Sequence, residues 1–340
     1  MSATSQTPFT ATVVDRLSVR VVVDSRYERF LPDAEHPHVA IEHVRRIPGR
    51  QMTTLAGEWG LALHLESEAD GARSAYLLDF GYTPEILNRN LDLLDIDPAR
   101  LSGLILSHGH RDHYGGLEGF VAAHRARMPG EIPLFVGAEE AFSVRWVPEG
   151  PPREPGGTPE MVCWGAPNRT ALTAQQVMPV CCEAPRVLDG PFTSGYIARD
   201  SFEEITGNSK LESFEHFSEA ERRGELIFDT HPEEHATCYL VRGKGLVVIS
   251  SCGHAGIVNS VKTAMAVAGT DRLHAVIGGF HLAASKPDYI EHTVDELEAL
   301  APDLVLPMHC TGTGFIESMR RRMPERLITS NLGSRFTLGV

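Results

Sequence analysis

The residues best suited to chemistry are concentrated in one short stretch, LSHGHRDHYGGL, at positions 106–117. It contains three histidines and an aspartate in the order His108-x-His110-x-Asp112-His113. In an extended segment, residues two apart point the same way, so His108 and His110 can present both imidazoles to one metal ion. Asp112 and His113 would then serve a second. Imidazole and carboxylate suit zinc, iron or manganese, and a set with few thiolates leaves coordination positions open to water, the arrangement of a catalytic site. Four ligands this close exceed what one tetrahedral ion can use once distant histidines join. The spacing therefore predicts two divalent metal ions, zinc first, with manganese or iron as alternatives. Gly115 and Gly116 follow at once and fit a loop bent sharply before a helix near Leu117.

The elements that must position this motif are legible as hydrophobic pattern. Leu104, Ile105 and Leu106 end a strand that delivers it. Residues 17–23 (LSVRVVV) read as a buried β-branched strand, and 59–65 and 74–80 as two strands joined at Ala69-Asp70-Gly71. Asp79 closes the second of these. A carboxylate there is costly to bury unless hydrogen-bonded, so it is expected to brace the metal loop. Thr83-Pro84 opens a helix whose apolar spacing is Ile86, Leu87, Leu91, Leu94; a second helix is expected over 117–127 and a strand at 132–136. Residues 32–50 carry three prolines and His36, His38 and His43 without periodicity, and read as a surface loop. Farther on, 238–241 and 246–250 form a hairpin around Arg242-Gly243-Lys244-Gly245. A helix over 255–268, a strand at 273–277, a helix over 289–300, a strand at 304–307, another helix and a closing strand at 335–338 complete the chain.

His254, His281 and His309 each fall just past the carboxyl end of a predicted strand, the edge at which layered α/β folds bind ligands. His235, in a loop entering the hairpin, competes with them as a ligand. Between 146 and 208 the chain turns rich in Pro and Gly, with aromatics at Trp146, Trp164, Phe192, Tyr196 and Phe202. A loop-rich insertion this long is expected to cover a site, here as a substrate cap.

Of the 340 residues, 42% are hydrophobic and 22% charged, which is globular composition. The net charge of -14 disfavours nucleic acid or an anionic membrane as a partner, because both need clustered Lys and Arg. The expected partner is a small-molecule substrate. MSATSQTPFT lacks the pattern of a signal peptide and no apolar run approaches ~20 residues, so a cytoplasmic location is expected. Six cysteines show no C-x-x-C pair and are expected to be free thiols.

At HGHRDH the chain resembles the metallo-β-lactamase superfamily. The resemblance implies an α/β fold, an αββα four-layer sandwich over residues 11–340, with 146–208 as a loop-rich cap insertion within it. SHGHRDHYGGL, FTSGYIARDSFE (192–203), GLVVISSCGHAGIVNSV (245–261), VIGGFHL (276–282) and PMHCTG (307–312) are similar to the branch named for 7,8-dihydropterin-6-methyl-4-(β-D-ribofuranosyl)aminobenzene-5′-phosphate synthase. By that resemblance His108 and His110 hold the first metal with His254 as its third ligand, and Asp112, His113 and His309 hold the second. Cys252 stands where many superfamily members carry a carboxylate bridging both ions. His281 lies in a motif of this branch and is assigned to substrate contact or proton transfer, with metal ligation as second choice; Cys310 is taken as structural.

The expected function is a dinuclear metal-dependent hydrolase acting on a small phosphate ester or related molecule. Asp112 would orient the attacking water and His281 protonate the leaving group. Two alternatives stay open on the same site: a synthase joining a pterin to a phosphoribosyl aromatic amine, and a lactone or thioester hydrolase. A non-catalytic metal sensor is disfavoured by the open coordination positions.

Overall fold

Strand alternation decides the layering. Along Arg16–Val23, Ala62–Ala69, Ala72–Leu78 and Gly103–Leu106, one set of side chains (Val19, Val21, Leu63, Leu65, Leu78, Ile105) enters a central core. Their neighbours (Val22, Ala62, Leu77, Leu104, Leu106) enter a different, outer core. A strand buried on both faces must have a layer on each side. In the computed structural model, which describes residues 9–339 except 33, 51, 151, 153, 155, 156, 206 and 213–225, those layers are a second sheet and a set of helices. The first eight residues, on which the reading of the N-terminus rests, lie outside the described range.

The larger sheet runs Val177–Cys181, Ile132–Val136, Gly103–Leu106, Ala72–Leu78, Ala62–Ala69, Arg16–Val23, Arg335–Leu338, Val39–Glu42, Glu35–His36. The second runs Arg186–Val187, Phe192–Thr193, Thr237–Val241, Gly245–Ser250, Leu273–Gly278, Leu304–Pro307, with Val13–Val14 beside Thr237–Val241. The central core holds Tyr239, Val247, Ile249, Ile277 and Leu306 of this sheet facing the first. Helices Pro84–Leu93 and Leu117–His124 cover the outer face of the larger sheet through Leu87, Leu91, Leu117 and Phe120. Ile257–Ala268, Pro287–Leu300 and Thr313–Arg322 cover the other through Val258, Val261, Val294, Leu297, Phe315 and Met319. The order helix, sheet, sheet, helix is the αββα sandwich. No helix among the described residues is long and apolar enough to cross a membrane.

Neighbouring strands run parallel in each sheet: Ala72–Leu78, Gly103–Leu106, Ile132–Val136 and Val177–Cys181 in one, Gly245–Ser250, Leu273–Gly278 and Leu304–Pro307 in the other. Parallel strands collect their carboxyl ends at one edge, so the loops bearing Asp79, His108, Cys252, His254, His281 and His309 meet there.

Two stretches depart from the sequence reading. Residues 32–50 are not a plain loop, since Val39–Glu42 pairs with Arg335–Leu338 and Glu35–His36 folds back on it. Four residues with one buried valine carry too little periodicity to be seen in sequence. Nor is 146–208 loop-rich throughout. Val177–Cys181 extends the larger sheet in parallel with Ile132–Val136, and Phe192 is buried in the outer core of the second sheet. What stands apart is a small sheet ordered Met161–Gly165, Arg145–Pro148, Lys210–Glu212, Leu226–Phe228, which continues past residue 208.

Candidate metal centre

The motif leaves the strand Gly103–Leu106 in an extended turn and closes into one helical turn, Arg111–Tyr114. His108, His110, Asp112 and His113 are all buried. The His108 ring lies 4.8 Å from that of His110 and 4.2 Å from that of His113. From the opposite sheet, the His254 ring comes within 5.0 Å of His108 and 4.7 Å of His110. His309 Nε2 lies 3.3 Å from Asp112 Oδ2 and 3.2 Å from His113 Nε2. The six residues named from sequence as ligands are thus gathered into one cluster, with His108, His110 and His254 on one side and Asp112, His113 and His309 on the other.

A second set of contacts orients these rings. Asp79 accepts the Ser107 N–H through Oδ1 at 2.8 Å, and the Ser107 hydroxyl and His113 Nδ1–H through Oδ2, each at 2.7 Å. Ser107 Oγ in turn accepts from His108 Nδ1 at 3.0 Å. Both imidazoles are held by Nδ1 and offer Nε2, the pattern that fixes ligand orientation in metal sites. Asp79 is forced to a positive φ of 59°, as are His231, His281 and His309 at 49°, 49° and 48°, so the cluster carries backbone strain at four non-glycine residues. His254 is set by Glu234, whose carboxylate accepts the N–H groups of Gly253, His254 and Ala255 at 2.8, 2.9 and 2.6 Å.

The surroundings favour uncharged imidazoles at His108 and His110 and a charged carboxylate at Asp112, whereas at His309 burial is outweighed by the Cys310 sulfur, Asp112 and Asp24, which raise it to about 9. Burial pushes His108 well below its ordinary range and takes His110 down to about 3, with Arg145 adding to the effect. Burial works to raise Asp112, but His113 and His309 outweigh it and hold the carboxyl below its usual range. Neutral imidazole and ionised carboxylate are the forms that ligate a cation. The donor set fits one. His108 Nε2 and Asp112 Oδ1 are buried with no hydrogen-bond partner among the described residues, an expensive condition in a protein interior that a bound cation would relieve.

Residues 69–172 match the model of the metallo-β-lactamase superfamily. The chain is 31% identical over 262 residues to the 7,8-dihydropterin-6-methyl-4-(β-D-ribofuranosyl)-aminobenzene-5′-phosphate synthase of Methanocaldococcus jannaschii, spanning 74% of this chain and 81% of that protein. The chain belongs to the metallo-β-lactamase superfamily. A second protein of that organism, the uncharacterised MJ0448, is 25% identical over 236 residues, 69% of this chain and 78% of that one. The crystal structure of Tm1679, described as a metal-dependent hydrolase of the β-lactamase superfamily, superposes with a TM-score of 0.66 at 22% identity, covering 94% of this chain and 98% of that one.

Members of the metallo-β-lactamase superfamily typically bind divalent metals, and the clusters here could hold them. Cys252 occupies a pivotal place in these clusters. Its sulfur groups with His108 and His254, with His113 and His309, and with His281 and Cys310. His235 goes elsewhere: its Nε2 meets the Leu106 carbonyl at 3.1 Å and its N–H donates to the Ser107 carbonyl, so it braces the strand that delivers the motif.

Sequence reasoning passed over His231. Its ring stacks on His254 at 4.0 Å and stands 5.0 Å from His110. Behind it, Asp229 accepts the His231 N–H at 2.9 Å, and Ser209 Oγ lies 3.2 Å from His110 Nε2 and 3.4 Å from His231 Nε2. Asp229 and Glu233 are paired by Arg145, a fully buried arginine that also donates to the carbonyls of Gly109, Glu140 and Ser143. The close spacing Asp229-x-His231-x-Glu233 was the available signal, since it sets three ligand-type side chains within five residues, which a turn gathers together.

A cavity of about 190 Å³ opens onto the cluster. Its polar wall includes His110, Asp112, His254, His281 and His309, and its apolar wall Trp59, Val147, Pro148 and Trp164. Trp164 stands edge-on to His110 at 5.7 Å, and Trp59 packs on His309 at 4.8 Å. His281 reaches the cavity with its pKa raised. Burial opposes protonation there, and the Cys310 sulfur and Glu234 overcome it.

Proposed function

We propose that this chain is a metal-dependent hydrolase with two divalent ions, acting on a small phosphate ester that carries a flat aromatic group. The observation that supports this most directly is the unpartnered pair His108 Nε2 and Asp112 Oδ1 inside a cluster that opens to a cavity. His108, His110 and His254 would hold one ion, and Asp112, His113 and His309 the other, with Cys252 within reach of both. Ions so held would lower the pKa of a water and draw charge from the bond under attack. Asp112 has a free carboxylate oxygen with which to orient that water. His281, whose surroundings favour its protonated form, hands a proton to the leaving oxygen. Trp59 and Trp164 offer flat faces, while no Lys or Arg lines the cavity among the described residues, so an anionic group would be directed to the metal side. The small sheet bearing Trp146 and Trp164 is the substrate cap of this reading.

A second reading is favoured by the named relative: a synthase joining a pterin to a phosphoribosyl aromatic amine on the same residues. The two separate cleanly. Purified protein of measured metal content is assayed on aryl phosphomonoesters and phosphodiesters, lactones and thioesters, and then on a pterin and a phosphoribosyl arylamine singly and together. Turnover of an aryl phosphate ester alone supports the hydrolase. Turnover only when both organic substrates are present would replace it with the synthase.

A further inference from the structure

Cys252 and Cys310 follow two different strands, Gly245–Ser250 and Leu304–Pro307, yet their sulfurs lie 3.2 Å apart. Both are free thiols, 2% and 3% exposed, and both reach the wall of the cavity, so a small oxidant has a route to them. Room for the contact comes from Gly279, where a Cβ would come within 2.8 Å of Cys310 Sγ. His281 joins the pair: its Nδ1 is 3.2 Å from Cys252 Sγ, and its N–H donates to Cys310 Sγ at 3.3 Å. The remaining four cysteines have no such arrangement. Cys163 is exposed, and Cys181, Cys182 and Cys238 contact other groups or none among the described residues.

We propose that Cys252 and Cys310 are a peroxide-sensitive pair that closes to a disulfide and withdraws the Cys252 sulfur from the metal centre. The oxidant is hydrogen peroxide. The Cys252 sulfur attacks one peroxide oxygen; the S–O bond forms, the O–O bond breaks, and the departing hydroxide takes the Cys252 thiol proton and leaves as water. The Cys310 sulfur then attacks the resulting sulfenic acid, forming the S–S bond and breaking the S–O bond, and its thiol proton leaves with the hydroxyl as a second water. Two thiols and one peroxide become one disulfide and two waters. From 3.2 Å, each sulfur needs to move by only about half an ångström toward the other to reach disulfide length. Formation of the disulfide stands on the sulfur geometry alone, whereas its effect on metal rests on the proposed metal centre.

The test uses the full chain, with metal content measured first. Protein is exposed to graded hydrogen peroxide, quenched, alkylated, digested without reductant and mapped by mass spectrometry, with released zinc followed by a chromophoric chelator. The expected result is a Cys252–Cys310 linked peptide, lighter by about 2 Da than the two reduced peptides and restored by dithiothreitol, with one ion released per chain as it forms. Cys310→Ser should give no linked peptide and should release that ion more slowly at the same peroxide dose. Oxidation of either cysteine straight to sulfinic or sulfonic acid, with no linked peptide in the wild type, overturns the proposal, and that measurement needs no variant. A linked peptide with full metal retention overturns the withdrawal of Cys252. Protein carrying no metal at the outset refutes the metal centre instead, and the peptide map still decides the thiol pair.

Discussion

Asp79 touches three groups at once, the Ser107 N–H, the Ser107 hydroxyl and His113 Nδ1, and so it sets two of the proposed ligand rings. Such carboxylates fix tautomer and ring direction, and their loss typically costs 10–100-fold in metal affinity. Asp79→Ala is expected to weaken metal binding by about that factor, read by competition with a chelator of known affinity; unchanged affinity would show that the carboxylate serves the fold alone. His254 and His281 should fail differently. His254 is clamped by the Glu234 carboxylate through three consecutive N–H groups, whereas His281 stands beside the thiols with its ring at the cavity. His254→Ala is expected to lose metal affinity by on the order of 10–100-fold or more. His281→Ala should keep both ions and lose about 10²–10⁴-fold in rate, the usual contribution of a general acid. Bound metal and rate measured on the same samples separate them, and equal metal loss in both would make His281 a ligand.

Loops are placed by the elements behind them, and two carboxylates do this at the edge of the second sheet. Glu234 ties the loop 252–255, and Glu203, from the motif 192–203, accepts the N–H groups of Val258 and Asn259 at the start of helix Ile257–Ala268. An acceptor on the first free N–H groups of a helix, aided by the helix dipole, anchors that end. The small sheet is tied to this edge by Arg145, which donates to the Gly109 carbonyl, Asp229 and Glu233, and by the Tyr114 hydroxyl, which donates to the Trp164 carbonyl. The Trp164 side chain meets the cluster through an edge-on contact with His110, so its loss reports on the cavity wall. Trp164→Ala is expected to leave metal content unchanged and to raise KM for an aryl substrate by about 3–10-fold, the worth of one aromatic contact. An unaltered KM would place substrate away from this wall.

Across the whole molecule, burial of uncharged histidines makes stability depend on pH. His64 pairs with Arg20 in the larger sheet and is lowered to about 4, chiefly by burial, which together with Arg20 and Arg100 outweighs Glu66. Above pH ~6.5 it is neutral in both folded and unfolded chains and has no effect. As pH falls below that value the unfolded chain takes the proton and the folded chain does not, so stability is lost between roughly 6.5 and 4, by on the order of 3 kcal/mol in all. Urea unfolding at pH 7.5 and 5.0 should show a smaller difference for His64→Gln than for the wild type; an equal difference would assign the acid sensitivity to the buried site histidines instead. By itself the sequence was enough for what depends on local spacing. HxHxDH marks a candidate metal loop because ligand geometry is short-range, and the strands and helices of the sandwich announce themselves through side-chain periods of two and 3.6. The three histidines past strand ends were legible for the same reason. Tertiary structure alone decided which distant residues share a face of the cavity. Cys252 meets Cys310 across 58 positions, His231 stacks on His254, and strands within 146–208 join a four-stranded sheet that continues past residue 208. Those contacts follow from the register of parallel strands and the packing of two sheets, which no window along the chain contains.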